Sequence, residues 1–526
     1  MSPTMSIDMD DHKNGIEKTD VLGAMHHEEP PQPIIAQGNA VNPFLIFACV
    51  TFAAASFLFG YDDKVISPII ALKPFVEKYQ GVNEATGEFV FTARNQSLLL
   101  SIPLVGSIVG ALFAYPLNNY LGRKWPLLIA YVVSVGGTLL QIFAPNLGAF
   151  VGGRSIVAVS MGIANATAPL YLSEVVPVAI RGRVVACINI MNLLSGVVAT
   201  CVVFATSTRT DKLSYEVPLA VQCALPALLI PPTAILPESP QWLIGKDRLD
   251  QALAALRKLR GNSDAEVADE LRVMKLCQDS ERSLINDVSF WNIFDRQNIK
   301  RTITAGSFFS FNQISGVFLS TTYATVFLQD INVASPFALT IIAACCTLAG
   351  CCIAPMVIER LGRRPLAMGG MGMLFILDVV AGGLAFRISE PSYAIGVAAC
   401  SFMFNFFWGA SFYSLSNVMP SEIPTTKLRS YTMSYTIAWA QTTAVITTVV
   451  VPQLTAADGA GLGAKTYLVF AGCMLGVITF VYFLLPETRG RTFAEIDEMY
   501  DAKIPMWKWR KYETSTAAKT ARKIEI

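Results

Sequence analysis

The sequence predicts an all-α membrane protein, with twelve transmembrane helices in two six-helix bundles. Three observations predict it. Of 526 residues, 53% are apolar and only 15% charged, against about 45–50% and about 25% in soluble domains. About twelve apolar stretches, each roughly 20 residues and so long enough to cross a bilayer, fill most of the chain. A short charged loop motif also occurs twice, six stretches apart.

Composition removes several classes of function. Forty Lys and Arg against 39 Asp and Glu leave a net charge of +1, so there is no large basic surface to hold nucleic acid. The three histidines, His12, His26 and His27, lie in the polar N-terminal tail, which removes a histidine proton relay or His-ligated metal within the membrane. The eleven cysteines show no metal-ligand spacing. The pairs Cys345-Cys346 and Cys351-Cys352 sit in an apolar run, where a thiol behaves as a small hydrophobe. No phosphate-binding loop, zinc motif or nucleophile elbow is present. The chain therefore reads as neither an enzyme nor an ATP-driven pump, and no cofactor is expected.

Residues 1–42 are rich in Asp, Glu, Pro, Gln and Asn and read as a disordered cytosolic tail. Apolar stretches follow near 43–68, 98–117, 125–143, 147–170, 184–206, 217–236, 302–328, 335–358, 365–387, 392–418, 431–453 and 464–485. The first six form one bundle (43–236) and the last six another (301–485). Between them 237–300 is strongly charged, with Leu249, Ala252, Leu253, Leu256 and Leu259 spaced as an amphipathic helix. A basic tail, 486–526, closes the chain and carries Trp507 and Trp509, placed to rest on the inner membrane face. The connections near 144–146, 329–334 and 454–463 have no Lys or Arg, whereas the alternate ones carry Arg123, Lys124, Arg181, Arg183, Arg360, Arg363, Arg364, Lys427 and Arg429. Both termini are then inside. Asn119-Tyr-Leu-Gly-Arg-Lys124 after stretch 2 and Glu359-Arg-Leu-Gly-Arg-Arg364 after stretch 8 mark a duplicated six-helix unit.

An ionisable side chain in hydrocarbon costs several kcal/mol unless it faces a cavity or a partner. Those inside the apolar stretches are Asp62, Asp63 and Lys64 in stretch 1, Arg154 in stretch 4 and Asp378 in stretch 9. Asp62 and Lys64 lie about 200° apart on a helical wheel, so they cannot share a face. At the cytosolic ends, Glu174, Glu238, Glu422 and Glu487 and the arginines Arg123, Arg181, Arg363 and Arg429 are placed to pair across the two halves as a latch. Solvated helix ends under the positive-inside bias are the plainer reading.

Five motifs in fixed order carry a resemblance. They are Gly60-Tyr61-Asp62, then Pro169-Leu-Tyr171-Leu-Ser-Glu174 running to Arg181-Gly182-Arg183, then Pro237-Glu238-Ser239-Pro240, the paired Gly-Arg-basic loops, and Pro486-Glu487-Thr488-Arg489-Gly490-Arg491. Over roughly 43–500 the chain resembles the sugar-porter family of the major facilitator superfamily, most closely its fungal members. The resemblance implies a monomeric secondary carrier that moves a sugar or sugar-like small polar solute by alternating access. It implies a plasma-membrane location and a cytoplasmic latch that closes when the protein opens outward. It also implies Asp62 and Arg154 as the proton-coupling pair, although the two also fit a structural ion pair. Asp378 is given no role by it and reads as structural.

A sugar needs amides and hydroxyls at mid-membrane and an aromatic face beneath its ring. The family's stretch-7 pattern falls on Asn312, Gln313 and, where an Asn is usual, Phe318. Asn189 in stretch 5 stands where a Gln is usual, and Thr347 in stretch 8 where Asn is frequent. Tyr413 is the aromatic floor when counted from Trp408-Gly409, and Asn417 when counted from Glu422; stacking favours Tyr413. Lys64 replaces a small residue and is placed to tune a neighbouring aspartate or to attract an anionic or electron-rich solute. Asn119 replaces an Asp, weakening that half of the latch. These changes point away from glucose toward a larger glycoside, a polyol, a sugar-like acid or a small polar metabolite. An exporter of a polar secondary metabolite and a non-transporting nutrient sensor use the same scaffold. Asn95-Gln-Ser97 fits a glycosylation sequon, but too close to stretch 2 for ready use.

Overall fold

The structure is a computed structural model. It describes residues 42–514 apart from 84–86, 88, 262–263, 286–288, 322–335, 389, 426–427, 457–458, 490, 492 and 513. The N-terminal tail with its histidines and the last residues, 515–526, lie outside the described residues.

Twelve helical elements occupy the places of the apolar stretches. In the first half they are α1 (Pro43–Ile70), α2 (Ala93–Leu121), α3 (Lys124–Ile142), α4 (Leu147–Val175), α5 (Val178–Thr206) and α6 (Leu213–Ile235). In the second, α7 runs over Ile299–Asn312, a π turn Gln313–Val317 and Phe318–Thr321. It is followed by α8 (Pro336–Leu361), α9 (Arg363–Leu384) and α10, made of Pro391–Phe407, a π turn Trp408–Tyr413 and Ser414–Glu422. The last two are α11 (Arg429–Thr455) and α12 (Thr466–Leu484). Among the described residues, eleven helices are long and apolar enough to cross a membrane. The exception is α7, expected as one continuous helix, which breaks at Gly316 (φ +85°) within its π turn. Side-chain oxygens of Asn42, Thr92 and Asn146 cap the starts of α1, α2 and α4, taking amides that have no intrahelical acceptor.

Small residues let the membrane helices approach closely, as packing without a hydrophobic gradient requires. A Cβ on Gly110 of α2 would stand 2.0 Å from the Val159 carbonyl of α4, and one on Gly350 of α8 would stand 2.2 Å from the Phe406 carbonyl of α10. Glycines 240 positions apart thus make the same crossing in each half. Between halves, α2 packs on α11 and α5 on α8. On the face away from the 237–300 linker, Ser97 donates to the Val449 carbonyl at 3.4 Å, and Phe337 of α8 packs into the first half's core.

The linker folds as Pro240–Gly245, Leu249–Arg260 and Asp264–Ile285. The expected amphipathic face is buried at Ala252, Leu256 and Leu259. Arg260 fastens it to α4 by donating to the Val175 carbonyl at 2.9 Å while pairing with Glu270 at 2.8 Å. In the C-terminal segment Trp509 does not rest on a membrane face. It is fully buried with Ile496 and Met499, its indole N–H donating to the Ile504 carbonyl at 3.0 Å, because the chain after α12 folds back on itself. Trp507 is the exposed member of the pair.

The linker face carries the same knot twice. In the first half Arg123 donates to Glu174 at 2.7 and 3.0 Å, and Glu238 accepts the backbone amides of Arg123 and Lys124 at 2.7 and 3.3 Å. In the second, Arg363 donates to Glu422 at 2.9 Å, and Glu487 accepts the amides of Arg363 and Arg364 at 2.9 and 3.1 Å. Ser239 donates to Glu174, and Thr488 to Glu422, in the same relation. Each glutamate caps a helix N-terminus, where amides lack partners and the dipole favours an anion. Gly122 and Gly362 make the approach possible at φ +98° and +92°, and a Cβ on either would lie 2.4 or 2.8 Å from the capping carboxylate.

Gly122→Ala is therefore expected to cost about 1–3 kcal/mol through a left-handed backbone and a displaced cap. Gly136→Ala in α3, where a Cβ meets nothing within 4 Å, is the neutral control. Thermal unfolding of the purified variants checks this, and equal melting of the two would contradict the knot.

Candidate functional site

A cavity of about 310 Å³ lies between the halves, at the lower end of the roughly 300–1,000 Å³ usual for small-molecule sites. Every residue expected to meet solute lines it: Lys64, Asn189, Asn312, Gln313, Phe318, Thr347 and Tyr413, together with Asp62 and Arg154. Six helices bring these positions together, from both halves.

Asp62 points into the first bundle. Arg154 of α4 meets its carboxylate with both Nη atoms at 3.4 Å, long for a charge-assisted contact, whose usual length is about 2.7–2.9 Å. The tighter partner is Gln222 of α6, whose amide nitrogen donates at 2.6 Å. Asp62 and Arg154 are both buried. The Gln222 oxygen and the Arg154 Nε have no partner among the described residues. Sequence reasoning missed Gln222. The available signal was an amide within the apolar run of α6, but the search there was for ionisable groups alone.

Asp63 and Lys64 turn the other way. They form an ion pair at 2.8 Å, with side chains 47% and 26% exposed, on the cavity wall. The wheel separation of Asp62 from Lys64 is met in this way, the first reaching neighbouring helices and the second the cavity. Room for the lysine stem comes from Gly196 of α5, where a Cβ would stand 2.9 Å from Lys64 Cγ.

In the second half Asn312 is occupied by structure, since its oxygen accepts from the Trp408 indole N–H at 2.6 Å. That bond joins the break in α7 to the π turn of α10. Trp408 in turn backs Tyr413, ring to ring at 4.9 Å, so the aromatic floor is held from behind. Tyr413 lines the cavity as expected; the side chain of Asn417 lies outside the described residues. Thr347 donates to Asn405 at 3.4 Å, and Asn405 donates to the Ser401 carbonyl at 2.9 Å. Gln313 and Asn189 are half-buried amides on the wall, as are Asn192 and Gln441.

Three expectations change. The latch residues Arg123, Glu174, Glu238, Arg363, Glu422 and Glu487 pair within each half, not across the two, because each arginine lies beside a glutamate of its own bundle. The side chains of Arg181 and Arg429 lie outside the described residues. Asn119 weakens nothing visible, since Asn118, its neighbour, supplies the carbonyl that accepts from Arg123 at 2.7 Å. Asp378 has no structural partner: it is fully buried, and neither carboxylate oxygen is hydrogen-bonded among the described residues. At the sequon, the Asn95 amide donates to Gln80 at 2.8 Å, in line with a site that does not readily take a glycan. At the linker face, burial raises the Glu238 carboxyl above the ordinary carboxylate range, against the pull of the amides of Ser239, Arg123 and Lys124.

Two repeated bundles of membrane helices around one polar cavity make a multi-pass membrane carrier. The profile of the sugar (and other) transporter family matches residues 48–500, and the chain belongs to that family. It is similar to the major facilitator-type transporter ecdD of Aspergillus rugulosus, 31% identical over 487 residues, 89% of each chain. It is also similar to the general alpha-glucoside permease of Saccharomyces cerevisiae, 27% identical over 459 residues, 86% of this chain and 74% of the permease. Among solved structures, the inward-open xylose transporter XylE from E. coli superposes with a TM-score of 0.71 at 21% identity, over 86% of this chain and 99% of that one. The structure of XylE described as a proton:xylose symporter gives 0.67 at 21%, over 87% and 99%. These two likenesses confirm the fold.

Removing one member of a buried ion pair leaves the other uncompensated, at roughly 3–5 kcal/mol. Arg154→Leu is expected to lower thermal stability by that order, and adding Asp62→Asn is expected to recover most of the loss. Additive losses in this double-mutant cycle would show that the two residues are not paired.

Proposed function

We propose that this carrier moves a sugar-like, polyhydroxylated small solute in step with protons, by exposing the central cavity to one side of the membrane and then the other. Asp62 is the proton site and Arg154 its resting partner. The observation that carries the reading is the loosely held Asp62 carboxylate at the edge of the cavity that receives every expected solute contact. The amides, hydroxyls and backed aromatic suit a ring with many hydroxyls. The names of the alpha-glucoside permease and the proton:xylose symporter agree with it.

While Arg154 lies close, the carboxylate is compensated. When α1 shifts against α4 within the first half and the 3.4 Å contacts lengthen, a buried carboxylate without its cation takes a proton. Gln222 serves both states. Its amide nitrogen donates to the carboxylate, and the amide turned over offers its unpartnered oxygen to the protonated acid. The two knots brace the linker-face end of each bundle during that movement. The Lys and Arg gathered on the linker face support a cytosolic side for that face and both termini, and the plasma membrane is the membrane we assign. The working unit is one chain.

With reconstituted protein and a panel of labelled solutes, Asp62→Asn is expected to abolish accumulation against a gradient, by tenfold or more on the order of the driving proton gradient, and to retain exchange at equal concentrations. Undiminished accumulation by the variant would remove Asp62 from the coupling step.

A further inference from the structure

Among the described residues four charged side chains line the cavity, and all come from the first half: Asp62, Asp63 and Lys64 on α1 and Arg154 on α4. The second half contributes neutral groups such as Gln313, Thr347, Tyr413 and Gln441. With every group ionised the wall sums to zero. Protonation of Asp62 changes the sum, because Arg154 and Lys64 then stand against Asp63 alone. The proton-loaded cavity then carries one net positive charge.

A neutral sugar leaves that charge standing, whereas a monoanion cancels it. Charge balance therefore links a proton on Asp62 to an anion in the cavity, each favouring the other, and linkage makes the effect reciprocal. Lys64 is the group such an anion meets. Its partner Asp63 is the next residue on the same helix, and neighbours on a helix point about 100° apart. The pair is made by the lysine stem bending round, over the space left by Gly196. An ion pair on a partly wet wall is weak, so an incoming carboxylate competes for the ammonium with little loss.

We propose that the solute is a monoanion of the hydroxy-acid class, a polyhydroxylated carboxylate of the sugar-acid type, with Lys64 as its counter-ion and the amides and Tyr413 serving its hydroxyls. This rests on the proton-coupled carrier reading above and narrows its substrate class. Asp63 holds the lysine while the site is empty and selects against dianions.

The test is equilibrium binding to purified full-length protein of matched probes, D-glucuronate against D-glucose and D-gluconate against D-sorbitol. In the wild type each acid is expected to bind about tenfold or more tightly than its neutral partner, the scale of one charge-assisted contact. Lys64→Met is expected to erase the difference between each acid and its neutral partner, Lys64→Arg to keep it, and Asp63→Asn to widen it by freeing the ammonium. The Asp63→Asn result decides the matter if Lys64→Met does not purify as a folded protein. Neutral probes binding as well as or better than the acids would overturn the inference and leave the sugar-carrier reading standing. Binding of neither class would overturn both.

Discussion

A carboxylate in the interior of a membrane bundle has no water to solvate it, and most of this site's organisation follows from that. Asp62 has to be met by a cation and a donor, so α1 is tied to Arg154 on α4 and Gln222 on α6. With Asp62 turned inward, helical geometry sends Asp63 and Lys64 toward the cavity. The same residue thus fixes the packing of three helices and decides which charges a solute meets. The 3.4 Å guanidinium contacts matter here. A pair at ideal length is a fixture, whereas one already stretched responds to small shifts of α1 against α4.

The linker face shows how the rest of each bundle stays rigid while that pair is free to change. Glu238 and Glu487 spend themselves on backbone amides, and Arg123 and Arg363 are clasped by Glu174 and Glu422 of the same half. A charge network inside each half stiffens its linker-face end, so that the bundles can move as bodies there while α1 shifts against α4 deeper in the first half. Asp378 departs from this economy, being buried with no donor beside it among the described residues.

Much of this was legible in the sequence because hydrocarbon imposes coarse rules. Span length, the scarcity of charge and the positive-inside bias place the helices with no knowledge of contacts. The repeat spaced 240 residues apart fixes the halves. The seven positions expected to meet solute come from motifs, and all seven line the one cavity described above. What escaped was local. The break at Gly316 and the π turn at Trp408 arise where Asn312 and the indole find each other across two helices, and no single-helix pattern encodes that meeting. Gln222 escaped because an amide in an apolar run raises no charge alarm. The latch was misread because opposite charges at helix ends pair with whatever lies nearest, and the nearest partners are in the same bundle. Trp509 was misread because an exposed-looking tail has an apolar face that it buries against itself.

The central claim, that Asp62 carries a proton as the solute crosses, is tested most directly by proton movement itself. Vesicles holding the purified carrier and an internal pH-sensitive dye are given a bound solute outside, with no imposed pH gradient. Interior acidification that tracks solute entry in fixed proportion, and disappears with Asp62→Asn while solute still crosses, is the predicted result. Solute entry with no change of internal pH in the wild-type vesicles would contradict it.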